Sequence, residues 1–371
     1  FTYIIFNDII FNRIEVCQMK LLAILIFLIF PFLLPSSILE PAFSAINIFW
    51  FIVTIVLYIY IYITKDREYK TNYKEEFEYF FPSNRNPEIL GFLMTGDTKE
   101  RFFIASVFEL IRKNAVRIAR ANNNKDYILI QNNKYRGNLS KGEFYIMKWL
   151  FHYLGNDYEV PLSKITEDSK KNSGFFSYCY HEWANLVEVD AAGLNIFESK
   201  GSLFTDMLVY FIITFLLVIY NATLLNNIAL ATIILVINTA FIIYTNTFIK
   251  RTMETNLEHL KWKAFIRYIK KVDNKLHEMD SEGLAKLCVY CKVLKLDKEF
   301  YKIYNRSRNI NDNQLLIAIN EDVISYLDKA LSRGIKYSKI ATNIFYSKNK
   351  GSTKIIRRRF NDDITYIYDK E

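Results

Sequence analysis

Glycine, cysteine and histidine are scarce in this chain of 371 residues, with 11, four and four copies respectively. So few glycines leave little material for phosphate-binding loops, and the sequence has no such loop, nucleophile elbow or kinase signature. No two histidines have the spacing of a metal site. The sequence therefore predicts no catalytic residue, no metal and no cofactor, and we expect a protein that is not an enzyme.

The four cysteines, Cys17, Cys179, Cys288 and Cys291, are too irregularly spaced for a disulfide framework. Cys288 and Cys291 have the spacing of a redox pair or of half a zinc site. A structural zinc needs four ligands, however, and a redox pair lies at a helix start. This pair falls inside a predicted helix, on the same stripe as Leu284. We interpret it as core packing, with redox or metal use as the alternative.

Long apolar runs account for much of the 51% hydrophobic content. Spanning a bilayer takes about 20 mostly apolar residues, and four runs approach or meet that length. They cover residues 21–39, 43–63, 203–225 and 228–249. Their interiors carry no charged residue, which favours anchoring over ion transport.

These runs predict two transmembrane hairpins, 19–64 and 203–249. The first run contains two prolines, so a signal peptide cleaved near 42–44 and followed by one span is the second interpretation of 19–64. Residues 1–18 precede the first methionine, and we expect them to be an upstream or disordered segment.

Basic residues beside the apolar runs set the predicted orientation. The connections 35–44 and 225–227 contain no lysine or arginine, whereas the opposite flanks are basic. These flanks carry Lys20, Lys65, Arg67, Lys70, Lys250 and Arg251. The positive-inside rule then places residues 65–202 and 250–371 in the cytoplasm. We expect a multi-pass protein of the bacterial cytoplasmic (plasma) membrane, with the lipid bilayer as its first partner.

The first soluble segment, 65–202, alternates helical and extended patterns. Serine or aspartate followed three residues later by glutamate predicts capping boxes at 97–100 and 140–143. Alternation in 116–131 predicts a β-hairpin, and 158–162 predicts a further strand. The pattern of 186–197 predicts a second hairpin, made of 186–189 and 194–197.

Helix followed by a two-stranded wing, repeated once, is the element order of a winged-helix module. The predicted fold class is therefore an α-helical integral membrane protein with about four transmembrane helices in two hairpins. It carries an α+β winged-helix-like cytoplasmic domain and a C-terminal helical unit.

The charge of this segment does not favour a DNA-binding role. It contains 20 basic and 19 acidic residues, whereas nucleic-acid binders concentrate cations on one face. Arg112, Lys113, Arg117 and Arg120 form a small basic cluster, for which a solvated helix end is the simpler interpretation. Nucleic acid is not favoured as a partner.

The second soluble segment is predicted to be a helical unit over 250–305, followed by a basic tail, 306–371. Apolar stripes mark amphipathic helices at 257–272 and 281–296, which form a small bundle or pack on the first soluble segment. Ten basic residues and no acidic ones lie between 329 and 361. The expected contacts with anionic lipid are Lys350, Lys354, Arg357, Arg358 and Arg359. Nucleic acid and a solvated tail without a target are the alternatives.

Two neighbouring stretches, HLKWKAFIRYIKKV and EGLAKLCVYCKVLKLDKEFYK, carry a family resemblance. They resemble the C-terminal signature of the bacterial membrane proteins known as domain of unknown function 2207. The matching positions are Trp262, Lys263, Phe265, Tyr268, Ile269, Tyr290, Cys291 and Leu294, with Cys291 where that family typically has Ala. Cys288 stands where it typically has Leu. The resemblance covers 82–305 and implies an integral membrane protein with a cytoplasmic domain, and no reaction.

The leading functional hypothesis is a membrane-anchored scaffold or regulatory protein that presents interaction modules to protein partners at the cytoplasmic face. The alternative is a membrane-bound winged-helix regulator that binds DNA. A membrane enzyme comes third, because the sequence shows no convergent set of catalytic residues. No oligomeric state follows from the sequence.

Overall fold

The computed structural model describes residues 36–121, 126–198, 203–223, 228–247, 249–271, 279–306, 313–320 and 323–346. The chain forms two compact units. The apolar unit comprises Phe1–Tyr69 and Phe197–Arg251, and the soluble unit comprises Lys70–Ile196 and Thr252–Glu371. The predictions for residues 1–18, for most of the first apolar run and for the five lipid-contacting cations lie outside the described residues.

Three helices make up the apolar unit: α1 (Ser36–Ile61), α7 (Leu203–Thr223) and α8 (Ile228–Thr247). Within the described residues, two stretches are long and apolar enough to cross a membrane by length and composition, Ala45–Asp66 and Ile228–Thr245. The apolar part of α7, Met207–Thr223, is shorter. Three of the four predicted runs are thus helical, whereas four full spans are not found in the described part of the chain.

Pairs of polar side chains connect α1 and α7 inside the apolar unit. Asn47 and Asn221 exchange two amide hydrogen bonds of 2.8 and 3.0 Å. The indole N–H of Trp50 donates to Thr214 Oγ1 at 3.1 Å, and its ring stacks on Tyr210. Such hydrogen bonds hold apolar helices together where lipid offers no partner.

The soluble unit is mostly helical and contains one small sheet. Its helices before the apolar pair are α2 (Pro87–Thr95), α3 (Glu100–Arg112), α4 (Lys141–Met147), α5 (Leu162–Lys171) and α6 (Ser173–Gly193). A π-helical stretch, Lys148–Leu154, extends α4. Those after it are α9 (Met253–Lys271), α10 (Ser281–Leu294), α11 (Asp297–Tyr304), α12 (Gln314–Asn320) and α13 (Val323–Tyr346).

The sheet has the order β1 (Val116–Arg120), β2 (Tyr127–Gln131), β3 (Glu159–Pro161), and both pairs are antiparallel. In the β1–β2 hairpin, Ile118 pairs with Leu129, and Leu129 in turn pairs with Val160 of β3. The hairpin predicted in 116–131 is confirmed, and so is the strand predicted at 158–162.

The second hairpin, predicted at 186–189 and 194–197, is wrong. Residues 186–193 continue α6, because its buried side chains recur every three or four positions. These are Phe176, Cys179, Tyr180, Trp183, Ala184, Val187 and Ala191. The winged-helix interpretation therefore loses the second of its two wings.

One of the two predicted capping boxes is present. Ser140 Oγ accepts the Glu143 N–H at 3.0 Å, and Glu143 Oε2 accepts the Ser140 N–H at 2.8 Å. The box predicted at 97–100 is wrong, since α3 begins at Glu100 with Lys99 as an N-cap that makes no side-chain bond. Gly96 ends α2 in the left-handed conformation at φ 72°, and residues 97–99 only link the two helices.

Part of the segment predicted as a basic tail is folded into the soluble unit. Helix α12 packs against α3, and α13 packs against α5 and α6. Leu327 and Leu331 are buried, whereas Lys329, Arg333 and Lys336 are more exposed on the same helix. The basic run therefore forms the solvent face of an amphipathic helix, at least as far as its side chains are described.

The two soluble segments form one unit rather than separate domains. The chain leaves this unit at Ile196 and returns at Thr252, where the Thr252 N–H donates to the Ile196 carbonyl at 3.2 Å. Helix α10 packs against α3, and the Tyr290 hydroxyl donates to the Arg85 carbonyl at 2.9 Å. Of the two arrangements that the amphipathic helices allowed, packing on the first soluble segment is the one observed.

Candidate functional site

Three buried glutamates, on three different helices, form the centre of the soluble unit's polar interior. Glu88 lies in the first turn of α2 and is 2% exposed, Glu143 lies in the first turn of α4 and is fully buried, and Glu109 of α3 is 6% exposed. A carboxylate pays a large desolvation penalty when it leaves water, so each needs hydrogen-bond or charge partners. The three glutamates have different partners, and these partners determine whether each carboxyl group holds a proton or forms an ion pair.

Glu88 is held by two hydroxyl groups and by no cation among its hydrogen-bond partners in the described residues. Ser106 Oγ bonds Glu88 Oε2 at 2.7 Å, and Ser140 Oγ bonds Oε1 at 2.8 Å. Burial, and then the charge of nearby Glu143, raise the pKa of Glu88 to about 7, although the two serine bonds act in the opposite direction. This carboxyl group therefore binds its proton far more tightly than an exposed glutamate does.

Glu143 connects three parts of the network. It completes the capping box with Ser140, and its two oxygens accept from Lys113 Nζ at 2.7 and 2.9 Å. Burial lowers the pKa of Lys113, but its charged partners, Glu143 first among them, raise it by more, so the net pKa lies above the ordinary value. Lys113 follows the last residue of α3, and the pair therefore ties the end of α3 to the start of α4.

Glu109 holds the arginine that links α3 to α10. Arg112 Nε donates to Glu109 Oε2 at 2.7 Å, and another guanidinium nitrogen contacts Glu282 of α10. Burial lowers the pKa of Arg112, but the hydrogen bonds and charge of Glu109 raise it by more. The network thus joins both soluble segments of the chain, because Glu282 lies after the apolar helix pair.

Two cations of the predicted basic cluster belong to this network and do not form part of a recognition face. Arg112 and Lys113 are paired with glutamates as described above. Arg117 Nε donates to Asn114 Oδ1 at 3.2 Å, and the Arg120 guanidinium lies 6.0 Å from the centre of the Tyr127 ring. The sequence cluster is therefore split between the interior and the sheet surface.

The predicted core position of the cysteine pair is confirmed. Cys288 and Cys291 are 5% and 1% exposed and are free thiols. Burial raises the pKa of both thiols, which keeps them protonated and poorly nucleophilic at neutral pH. In the described residues, no group of three or more histidine, cysteine or acidic side chains is arranged to hold a metal ion.

Sequence reasoning missed the glutamate network. One signal was available, because Glu88 is the single charged residue in the apolar segment PEILGFLMTG. A lone carboxylate in such a segment is either exposed or specifically partnered. The second signal was the Ser140–Glu143 capping box, which was recognised as a helix start but not as part of a buried cluster.

The family comparison gives one finding, which covers most of the first soluble segment and the helices α9 and α10 of the second. The family model described as predicted membrane protein (DUF2207) C-terminal domain matches residues 74–302. This range includes the whole glutamate network and both cysteines of α10. No curated protein and no solved structure matches the chain.

Proposed function

The chain belongs to the predicted membrane protein family DUF2207, and from this premise we propose a membrane-anchored scaffold or regulatory protein without catalytic activity. Its soluble unit lies in the cytoplasm, at the plasma membrane of a bacterium, and presents a surface to protein partners. The apolar helices anchor it as a multi-pass protein.

One observation supports this proposal above the others: chain segments from both sides of the α7–α8 pair build a single soluble unit. The two segments meet at the Thr252–Ile196 hydrogen bond of 3.2 Å. They can fold together only on one side of a membrane, so the pair crosses it an even number of times. Lys250 and Arg251, at the return point, favour the cytoplasm as that side.

The contacts of the polar interior favour a structural role for its charged groups over a catalytic one. The buried glutamates are bonded to serines, a lysine and an arginine of the same unit, and these contacts hold α2, α3, α4 and α10 together. Removing one partner from a buried ion pair is strongly destabilising, which identifies Lys113–Glu143 as structural. Because Arg112 and Lys113 are already paired with glutamates, they are not available for DNA phosphates, so the DNA-binding alternative is not favoured.

An aromatic pair on the surface is the place where we propose a protein partner binds. Tyr79 and Phe80 are 56% and 78% exposed, in the extended segment before α2. The residues on either side of Phe80 attach this segment to α9, with Tyr79 against Tyr268 and Phe81 against Phe265. Phe80 therefore projects from a segment that is anchored on both sides, and exposed aromatic side chains are enriched in protein interfaces.

The experiment places a photoreactive phenylalanine analogue at Phe80 of the full chain and irradiates native membranes. Tyr158, which is 60% exposed, receives the same analogue as the matched control. We expect discrete protein adducts from position 80 and none of the same size from position 158. Adducts to lipid alone, or identical patterns at both positions, would contradict a protein partner at this surface.

The five cations Lys350, Lys354, Arg357, Arg358 and Arg359 complete the proposal as contacts for anionic lipid. Each cation close to an anionic bilayer contributes about 1 kcal/mol of attraction.

A further inference from the structure

A cavity of about 210 Å³ lies within the soluble unit, between helices α3, α10, α11 and α13. Its lining includes the apolar side chains of Phe108, Phe300 and Ile324. It also includes a charged group formed by Lys292, Asp297 and Asp328. An apolar pocket with a few convergent polar groups is the usual form of a small-molecule site.

The charged group in the lining consists of two carboxylates and one ammonium group. Lys292 Nζ lies 2.8 Å from Asp328 Oδ1 and 3.6 Å from Asp297 Oδ1. One lysine is therefore shared by two aspartates, so these three groups carry a formal charge of −1, and Arg101 is a further cation whose charge interacts with Asp297 from outside the lining. A ligand that brings a positive charge completes the pairing, whereas an anion is repelled by the aspartates.

The size of the cavity limits the ligand to a small molecule. An apolar cavity of about 150 Å³ in another protein holds one benzene molecule. The present cavity has room for one ring and a short substituent. Phe108 and Phe300 offer the ring an apolar contact, and the aspartates lie where a substituent with a charged end can reach them.

From this geometry we propose that the cavity binds a small primary amine with a short apolar or aromatic body. Its ammonium group lies between Asp297 and Asp328, and its body packs against Phe108 and Phe300. Lys292 keeps its contact with Asp328, and the amine adds a cation inside the cavity beside Asp297. Cys288, which is buried, lines the cavity as an apolar side chain and does not react with the ligand.

The test uses benzylamine as the probe and measures its binding to the full-length protein in detergent by titration calorimetry. We expect saturable binding, with benzyl alcohol at least about tenfold weaker because it lacks the charge that the aspartates recognise. This comparison is made on the parent protein, so it does not depend on any variant folding. No saturable binding of benzylamine, or equal binding of both compounds, would overturn the proposal.

Variants then locate the site. Asp297→Asn and Asp328→Asn should each weaken benzylamine binding by about tenfold, because each removes one charge–charge contact. Glu299→Gln, on the same helix as Asp297 but outside the cavity lining, is the matched control and should leave binding unchanged. Unchanged binding in both aspartate variants, or an equal loss in the control, would show that the amine binds elsewhere.

Discussion

Glu88→Gln is predicted to remove a pH dependence from the stability of the soluble unit. The change replaces the buried carboxyl group by a neutral amide of nearly the same shape. The amide oxygen can accept from Ser140, and the amide nitrogen can donate to Ser106, whose own hydroxyl also donates to the Phe102 carbonyl at 3.0 Å. The variant would therefore retain the hydrogen bonds that the protonated acid makes.

The magnitude follows from the pKa of Glu88, which burial and Glu143 raise from an ordinary 4.5 to about 7. Below pH 4.5 the group is protonated in both the folded and the unfolded chain, and its contribution to stability is complete. As pH rises from 4.5 to about 7, the unfolded chain releases the proton first, so the free energy of unfolding falls. The loss totals about 3 kcal/mol, since one pKa unit corresponds to about 1.4 kcal/mol.

The assay is thermal unfolding of the full chain in detergent at pH 5 and pH 8, followed by fluorescence of the buried Trp149, Trp183 and Trp262. From pH 5 to pH 8, the melting temperature of the parent should fall by roughly 6–12 °C more than that of the variant. Glu188→Gln, at an exposed position, is the control and should behave like the parent. An equal loss in the parent and in Glu88→Gln would refute the assignment of Glu88 as the titrating group.

Two further predictions concern packing and topology. Gly91→Ala should destabilise the soluble unit by about 1–3 kcal/mol in chemical unfolding, because its Cβ would lie 2.4 Å from a ring atom of buried Phe102; Gly174→Ala, with open space around it, should not. With a membrane-impermeant maleimide, Tyr158→Cys should be labelled only after bacterial cells are lysed, and Asn226→Cys in intact cells. The parent chain measures background from native cysteines, and the reverse labelling pattern would exclude the proposed orientation.

The parts of the fold that depend on local signals could be predicted from the sequence. The β1–β2 hairpin follows from alternation on both sides of a turn, and the start of α4 follows from the Ser140–Glu143 box. The same reasoning failed at 97–100, where the spacing of the box is present. There Gly96 ends α2, residues 97–99 form the link, and α3 begins only at Glu100. The start of α3 therefore depends on how α2 and α3 are connected.

Features that depend on contacts between distant segments could not be predicted. In 186–197, a short apolar alternation competed with the helical stripe of α6, and the stripe prevailed because Trp183 and Val187 share one buried face. In α13, the prediction of a tail relied on the basic residues and did not include the apolar stripe that contains Leu327 and Leu331. The glutamate network could not be predicted for the same reason, since its members lie on four helices, α2, α3, α4 and α10, that only the folded chain brings together.

If the proposed topology holds, the ion pairs of the soluble unit also connect its folding to membrane insertion. Arg85 bonds Glu258 through Nε and Nη2 at 2.7 Å each, and Arg112 contacts Glu282, so each pair joins a residue before the apolar helices to one after them. Glu258 and Arg85 are only 14% and 23% exposed. If α7 and α8 crossed the membrane an odd number of times, these partners would lie on opposite sides, and the partly buried Arg85 and Glu258 would each lose the partner that compensates its charge. Leaving such a charge uncompensated costs several kcal/mol. Under the proposed topology, the soluble unit can therefore complete its fold only when α7 and α8 are placed with an even number of crossings.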